Sequence, residues 1–182
     1  MGLYEDKNMI NDSDYQRLKK MTNEELNEEI RKTFGEEIYK EEVMLDRLYE
    51  IEDHLEELLG IERIPIMFEK MKDDSRLYFD KLYIGINSEL KNDFVKCAKC
   101  VIHECRHMFQ VLYISTHKDI RSKRWKKEIN DKDMFYYFKD IELDAFAYTK
   151  YYIKTYLNIE VLFPDSEYER IIDSYMKTKM PI

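Results

Sequence analysis

The chain contains very little glycine and proline, the two residues that most often interrupt regular secondary structure. Among 182 residues there are 4 Gly and 3 Pro. Tight turns depend heavily on these residue types, so a protein built mainly of short strands and hairpins is disfavoured. We therefore expect a largely helical chain, long enough to bury a core without disulfide support.

Cysteine and long apolar runs are equally scarce. Three cysteines, an odd number, provide no framework of disulfide bonds. No apolar run approaches the roughly 20 residues that a membrane-spanning helix requires. The first ten residues, MGLYEDKNMI, have neither the basic nor the apolar segment of a signal peptide. We expect a reduced, cytoplasmic protein that does not associate with membranes.

An excess of positive charge is also missing. The net charge is −8, and residues 1–60 hold 18 Asp and Glu against 8 Lys and Arg, whereas residues 61–182 hold 20 and 22. An acidic chain is a poor general binder of nucleic acid. We expect no nucleic-acid partner, with one open alternative: the basic stretch 117–127 could contact nucleic acid or an acidic substrate.

The remaining pattern indicates an α+β protein that is mainly helical and has two parts. Residues 1–60 are expected to form an acidic N-terminal helical extension. It would contain a helix that starts at Thr22 or Asn23 and a long amphipathic helix over 36–60. Gly60 is the expected stop of that second helix, because glycine readily adopts the left-handed conformation found after helices.

Residues 61–182 are expected to form the second part, where the periodicity changes. Short segments rich in β-branched and aromatic residues predict a sheet of about three strands. They are 64–69, 76–80 and 82–87. The elements predicted after them are a long helix capped by Asn87 or Ser88, a polar loop over 116–131, a helix over 134–157 and a last helix after Pro164.

The long helix contains the sequence HECRH at residues 103–107. Residues four apart lie on the same face of a helix, so His103 and His107 can bind one metal ion. Glu104 lies beside the first histidine and can reach a water molecule on that ion without being a ligand itself. The pattern is typical of two zinc ligands and a general base. Because the ligands are nitrogen and oxygen, other divalent ions also fit.

A catalytic zinc needs a third protein ligand and an open fourth position. The site of a third histidine in the His-rich metalloproteases is occupied here by Tyr113, which excludes that subclass. The helix over 134–157 offers two acids in an apolar and aromatic setting, Glu142 and Asp144. A buried acid needs a partner. We favour Glu142, which shares a face with the small Ala145, and keep Asp144 as the alternative.

These two motifs resemble those of the gluzincins, the thermolysin-like class of zinc metallopeptidases. In that class HExxH lies on one helix and a glutamate ligand on a later one, and the segment ELDAFAY is similar to the family's second motif. The resemblance implies Zn²⁺ held by His103, His107 and Glu142, and Glu104 as catalytic base. It implies a peptide or protein substrate bound along a sheet edge. Many members have an acid where this chain has Phe146.

Other readings of the same residues stay open. The histidines can be two structural residues on a helix face, and a bound metal can serve stability alone. Cys97, Cys100 and Cys105 are expected in the core, although Cys100 shares a face with the histidines and is a rival ligand. The alternative to an enzyme is a non-catalytic, metal-stabilised interaction or regulatory protein.

Overall fold

The computed structural model describes residues 40–131, 139–160 and 166–179, together with residues 25, 28, 31, 32 and 35. The described part is mainly helical with one small sheet, which confirms the predicted α+β class. Its elements are helix α1 (Glu41–Leu59), strands β1 (Ile66–Glu69), β2 (Ser75–Tyr78) and β3 (Tyr83–Asn87), a 3-10 helix (Ser88–Leu90), helices α2 (Phe94–Thr116), α3 (Ile120–Asn130) and α4 (Asp140–Tyr152), a π-helix (Ile153–Leu157) and helix α5 (Ser166–Thr178).

The three strands form a mixed sheet in the order β1-β3-β2, at the positions that the sequence predicts. β1 runs parallel to β3, and β2 runs antiparallel to it. Ile66 and Leu77 both lie opposite Ile84 of the central strand. Among the described residues, β1 and β2 each have one free edge. On β1 the backbone N–H of Ile66 already donates to the hydroxyl of Tyr49 at 3.0 Å, so the outer side of β2 is the edge to which an extended chain can add.

Helix α1 begins at Glu41, and residues 36–39 of the predicted helix lie outside the described residues. Gly60 ends the helix as predicted: its φ is 64°, and its N–H donates to the carbonyl of Glu56. One face of α1 is fully buried and packs into the same core as α2. The two-part division at residue 60 stays a prediction, although α1 shares that core. The predicted helix after Thr22 lies mostly outside the described residues.

The prediction of a cap at Asn87 or Ser88 was wrong for the long helix. The side chain of Asn87 accepts from the N–H of Glu89 and so caps the short 3-10 helix. Asp93 caps α2, because its Oδ1 accepts from the N–H of Lys96 at 2.9 Å. The three cysteines are buried, as predicted. In the part of the chain that the structure describes, no helix is long and apolar enough to cross a membrane.

The predicted polar loop over 116–131 was also wrong, because most of it is helix α3. Asp119 caps this helix through the N–H of Ser122. Trp125 is fully buried, and its indole N–H donates to Asp140 of α4 at 3.2 Å. The buried residues of α3 are Ser122, Trp125 and Glu128, so two of the three are polar. Because the buried face of α3 is mostly polar, its sequence shows almost no hydrophobic periodicity.

The second predicted motif helix is present as α4 over Asp140–Tyr152, continued by the π-helix. Residues 134–138 of the prediction lie outside the described residues. The last predicted helix is α5, and Lys150 of α4 donates to both Glu169 and Asp173 on it. Helix α4 packs on α2 and is flanked by α3 and α5, so its inward side chains meet those of α2.

Candidate metal centre

The structure brings His103 and His107 of α2 together with Glu142 of α4. The two histidines are one helical turn apart, and Glu142 belongs to the first turn of its helix. Ala145, one turn after Glu142, is fully buried, and its small side chain allows close approach of the two helices. Among the described residues, this is the one group of three His, Cys, Asp or Glu side chains whose ligand atoms lie within 4.8 Å of one another.

The three ligand atoms form a triangle close to the size that zinc requires, with the side between the two histidines slightly short. The Nε2 atoms of His103 and His107 are 3.0 Å apart. Oε2 of Glu142 lies 3.3 Å from the first and 3.5 Å from the second. A tetrahedral zinc with bonds of about 2.0–2.1 Å needs ligand atoms about 3.3–3.4 Å apart. Three such ligands leave one position open.

The carboxylate of Glu142 has one buried oxygen whose capacity for hydrogen bonding is poorly satisfied. Its Oε2 is buried, and its nearest donors in the described ranges are the Nε2 atoms of His103 and His107, at 3.3 and 3.5 Å, which is too long for a well-formed hydrogen bond. Leaving a buried carboxylate oxygen without a hydrogen-bond donor is costly. A cation between this oxygen and the two imidazoles satisfies it, so the residues present fit a metal ion.

The metal-free centre has strongly shifted pKa values. Burial lowers the pKa of His107, but the polar contact with the nearby carboxylate of Glu142 and its negative charge outweigh burial and raise that pKa to about 9. Burial raises the pKa of Glu142, but its contacts with the two imidazoles hold it well below its usual range. A proton therefore occupies the centre at neutral pH in the absence of metal, and a metal ion has to displace it.

Asp144, the alternative ligand, faces elsewhere. It is fully buried and accepts two hydrogen bonds from the guanidinium of Arg106, at 2.7 and 3.1 Å. Residues two apart on a helix point in different directions, so Glu142 and Asp144 contact different partners on α2. Arg106 was not identified from the sequence as the partner of Asp144. The sequence shows a charged residue next to His107, but it does not show that this residue is buried.

The Nδ1 atoms of the two histidines, which point away from the other ligands, have different surroundings. Nδ1 of His107 lies 2.7 Å from Oε1 of Gln110. Nδ1 of His103 is buried and has no hydrogen-bond partner in the described part of the chain. The ring of Phe146 instead packs on His103, with centroids 4.5 Å apart. Phe146 therefore supports this imidazole by ring packing and not by a hydrogen bond.

Glu104 lies on the side of α2 that faces the sheet. Its Oε1 accepts a hydrogen bond of 2.6 Å from the hydroxyl of Ser75, a residue of edge strand β2. Glu104 is also close enough to His107 to raise its pKa. Sequence reasoning missed Ser75, since one serine in a charged segment carries no signal for this role.

The turn that bears Glu142 is held from two sides. The N–H of Ile141 donates to Oε2 of Glu128 on α3 at 3.0 Å, and its carbonyl accepts from the Gln110 side chain at 2.8 Å. Glu128 thereby satisfies one of the unpaired N–H groups at the start of α4. Helix α3, which was predicted as a loop, is thus one of the elements that position Glu142.

Cys100 is not part of the group of ligand atoms. Burial raises the pKa of its thiol to about 12, so the thiolate that metals prefer is scarce at neutral pH.

The metal centre as a whole offers two nitrogen ligands, one oxygen ligand, one open position and, beside them, the separate carboxylate of Glu104. Comparison of the chain with known protein families, with curated proteins and with solved structures finds no match.

Proposed function

We propose that the protein is a zinc-dependent metallopeptidase that uses His103, His107 and Glu142 as metal ligands and Glu104 as general base. The observation that carries the proposal is the triangle of ligand atoms, 3.0 to 3.5 Å on each side, one corner of which is the buried Oε2 of Glu142, an oxygen without a well-formed hydrogen bond. Three protein ligands with an open fourth position are the arrangement of catalytic zinc, whereas structural zinc has four.

The chain's own residues supply the proton transfers. When bound, zinc provides a Lewis acid that polarises a carbonyl group and lowers the pKa of a water molecule. Glu104 takes a proton from the attacking water and returns it to the leaving amine. Ser75 fixes the orientation of that carboxylate through Oε1. His103, His107 and Glu142 hold their positions because both helices are buried against each other.

The free edge of β2 is the proposed binding surface for the substrate. β2 pairs with β3 on one side, and within the described ranges no strand pairs with its other side. An extended peptide can add there as a further strand, with hydrogen bonds between main chains. Ser75 joins this strand to Glu104, so a peptide bound at the edge lies next to the proposed base.

Metal content tests the proposal first. Protein purified without chelator is analysed for zinc as wild type and as Glu142→Ala. We expect about one zinc per chain in the wild type and a large loss in the variant, because a catalytic site has three protein ligands. No zinc in the wild type, even after addition of zinc, would refute the metal centre.

Cleavage of a peptide library then tests the chemistry. Glu104→Gln should retain zinc and lose about 10²–10⁴-fold in rate, the usual contribution of a general base. Ser75→Ala should lose less activity than Glu104→Gln, since it keeps the carboxylate and removes only the hydrogen bond that orients it. Full activity in Glu104→Gln would exclude the mechanism.

The second candidate function is a non-catalytic, metal-stabilised interaction or regulatory protein. One observation favours it: Lys118, Lys123, Lys126 and Lys127 are exposed around α3 and form no ion pair with the described residues. Such a basic surface can bind an acidic partner. Bound zinc without cleavage of any peptide would favour this function over the enzyme.

A further inference from the structure

We propose that Gln110 is a positioning residue of the metal centre, which holds His107 in the tautomer whose Nε2 carries the lone pair. The proposal rests on the proposed function, because it concerns a ligand of the same centre. Four side chains form a continuous line of contacts, which we name the Gln110 relay: Arg106, Asp144, Gln110 and His107.

The orientation of the Gln110 amide is determined by its neighbours. The residue is fully buried. Its Nε2 donates to the carbonyl of Ile141 at 2.8 Å and to Oδ2 of Asp144 at 2.9 Å. Both of these groups only accept hydrogen bonds. Rotating the amide by 180° would place its oxygen against two acceptors, so only one orientation is compatible with this pocket.

That orientation in turn determines the tautomer of His107. The amide oxygen of Gln110 faces Nδ1 of the imidazole at 2.7 Å, and an oxygen acceptor requires a proton on Nδ1. The imidazole that binds a metal is neutral and keeps one proton, here on Nδ1, so Nε2 supplies the lone pair. Nε2 is the atom that points toward His103 and Glu142. The contact with Gln110 therefore orients the ring so that Nε2 and not Nδ1 faces the other two ligands.

Arg106, at the end of the relay opposite to His107, is fixed by contacts on several sides. Arg106 is 1% exposed, and its guanidinium lies between the rings of Phe109 and Tyr148, at 4.4 and 4.3 Å from their centroids. It binds Asp144 through two nitrogens. A planar guanidinium in this setting fixes the carboxylate in one orientation, which keeps Oδ2 directed at Gln110.

The relay acts on one histidine of the pair. Nδ1 of His103 has no such acceptor among the described residues, and Phe146 packs on that ring instead. The oriented ligand is therefore His107, and its support comes from an amide one turn along the same helix. Loss of Gln110 should weaken metal binding without removing any ligand.

The test compares Gln110→Met with Thr149→Val. The first keeps the length of the side chain and removes the three hydrogen bonds of the amide, to His107, Ile141 and Asp144. The second removes another buried hydrogen bond, from Thr149 to the carbonyl of Ala145 on α4, and leaves the relay intact. Zinc dissociation constants are measured by competition with a chromogenic chelator, and unfolding by urea is followed without metal. We expect Gln110→Met to weaken zinc binding by about 10- to 100-fold, and Thr149→Val to leave it unchanged.

A spectroscopic measurement on the wild type covers the case in which Gln110→Met does not fold. In zinc-loaded protein with ¹⁵N-labelled histidine, His107 should show a hydrogen-bonded proton on Nδ1 and the metal on Nε2. Metal on Nδ1, or no proton there, would overturn the proposal. Equal zinc affinity in Gln110→Met and the wild type would overturn the relay alone. A wild type that binds no zinc overturns the metal centre and the relay together, whereas absence of peptide cleavage counts only against the enzyme.

Discussion

The charge pair between His107 and Glu142 should make the metal-free protein less stable as pH rises from neutral to about 9. Folding raises the pKa of His107 from 6.5 to about 9. A raised histidine pKa stabilises the folded state fully below the unfolded value of 6.5. That stabilisation is lost as pH rises through the folded value. The relevant window is therefore pH 6.5 to about 9.

The size of the effect follows from the same shift. The side chain of His107 is only 15% exposed, so solvent screens the pair weakly. At about 1.4 kcal/mol per pH unit, the full contribution is about 3 kcal/mol. Of this, about 2 kcal/mol should be lost between pH 7 and 9.

Urea unfolding in the presence of chelator measures this loss. Trp125 is the single tryptophan of the chain and is fully buried, so its fluorescence reports unfolding directly. Glu142→Gln is the matched control, because it keeps the shape of the side chain and removes its charge. Glu52, whose pKa burial raises to about 7, titrates equally in both proteins. Equal pH dependence of the two proteins, or a flat wild type, would refute the reasoning.

Three further results are expected. Zinc binding at pH 7 should release about one proton, because the metal displaces the proton on His107; calorimetry in buffers of different ionisation enthalpy measures it, and no release would contradict the pKa assignment. Arg106→Met should cost about 3–5 kcal/mol in the free energy of unfolding, since it leaves Asp144 charged and buried without its partner; a loss below about 1 kcal/mol in urea unfolding would show that the pair is not buried as described. Glu128→Ala should cost about 1 kcal/mol, the value of a helix cap, and should weaken zinc binding, because Glu142 lies in the turn that Glu128 holds; unchanged chelator competition would disprove that link.

Much of the fold could be predicted because its elements have strong local signals. The three strands are short, each contains an aromatic residue, and they lie where the sequence places them. Gly60 ends α1 because its backbone needs a positive φ, which glycine adopts at low cost. The pairing of His103 with His107 follows from helical spacing alone, and the structure places Glu142 beside them.

The remaining features depend on contacts between distant residues. Helix α3 buries Ser122 and Glu128 beside its tryptophan, so its inward face looks polar in sequence. Helical spacing makes Asp144 and Glu142 face different directions, but which of them meets the histidines and which meets Arg106, 38 residues earlier than Asp144, depends on how α4 packs on α2. The periodicity of hydrophobic residues predicts which face of a helix is buried, but it does not predict which residue of another helix that face will contact.

The buried Arg106–Asp144 pair also has a consequence for how the chain folds. A guanidinium enclosed by two rings can stay in the interior only if its carboxylate arrives with it. Sliding α4 by one turn along α2 would separate the two charges and leave both without a partner. We expect the pair to select a single alignment of these helices during docking. The same alignment brings Glu142 to the histidines, so an error in helix register and loss of the metal centre should occur together.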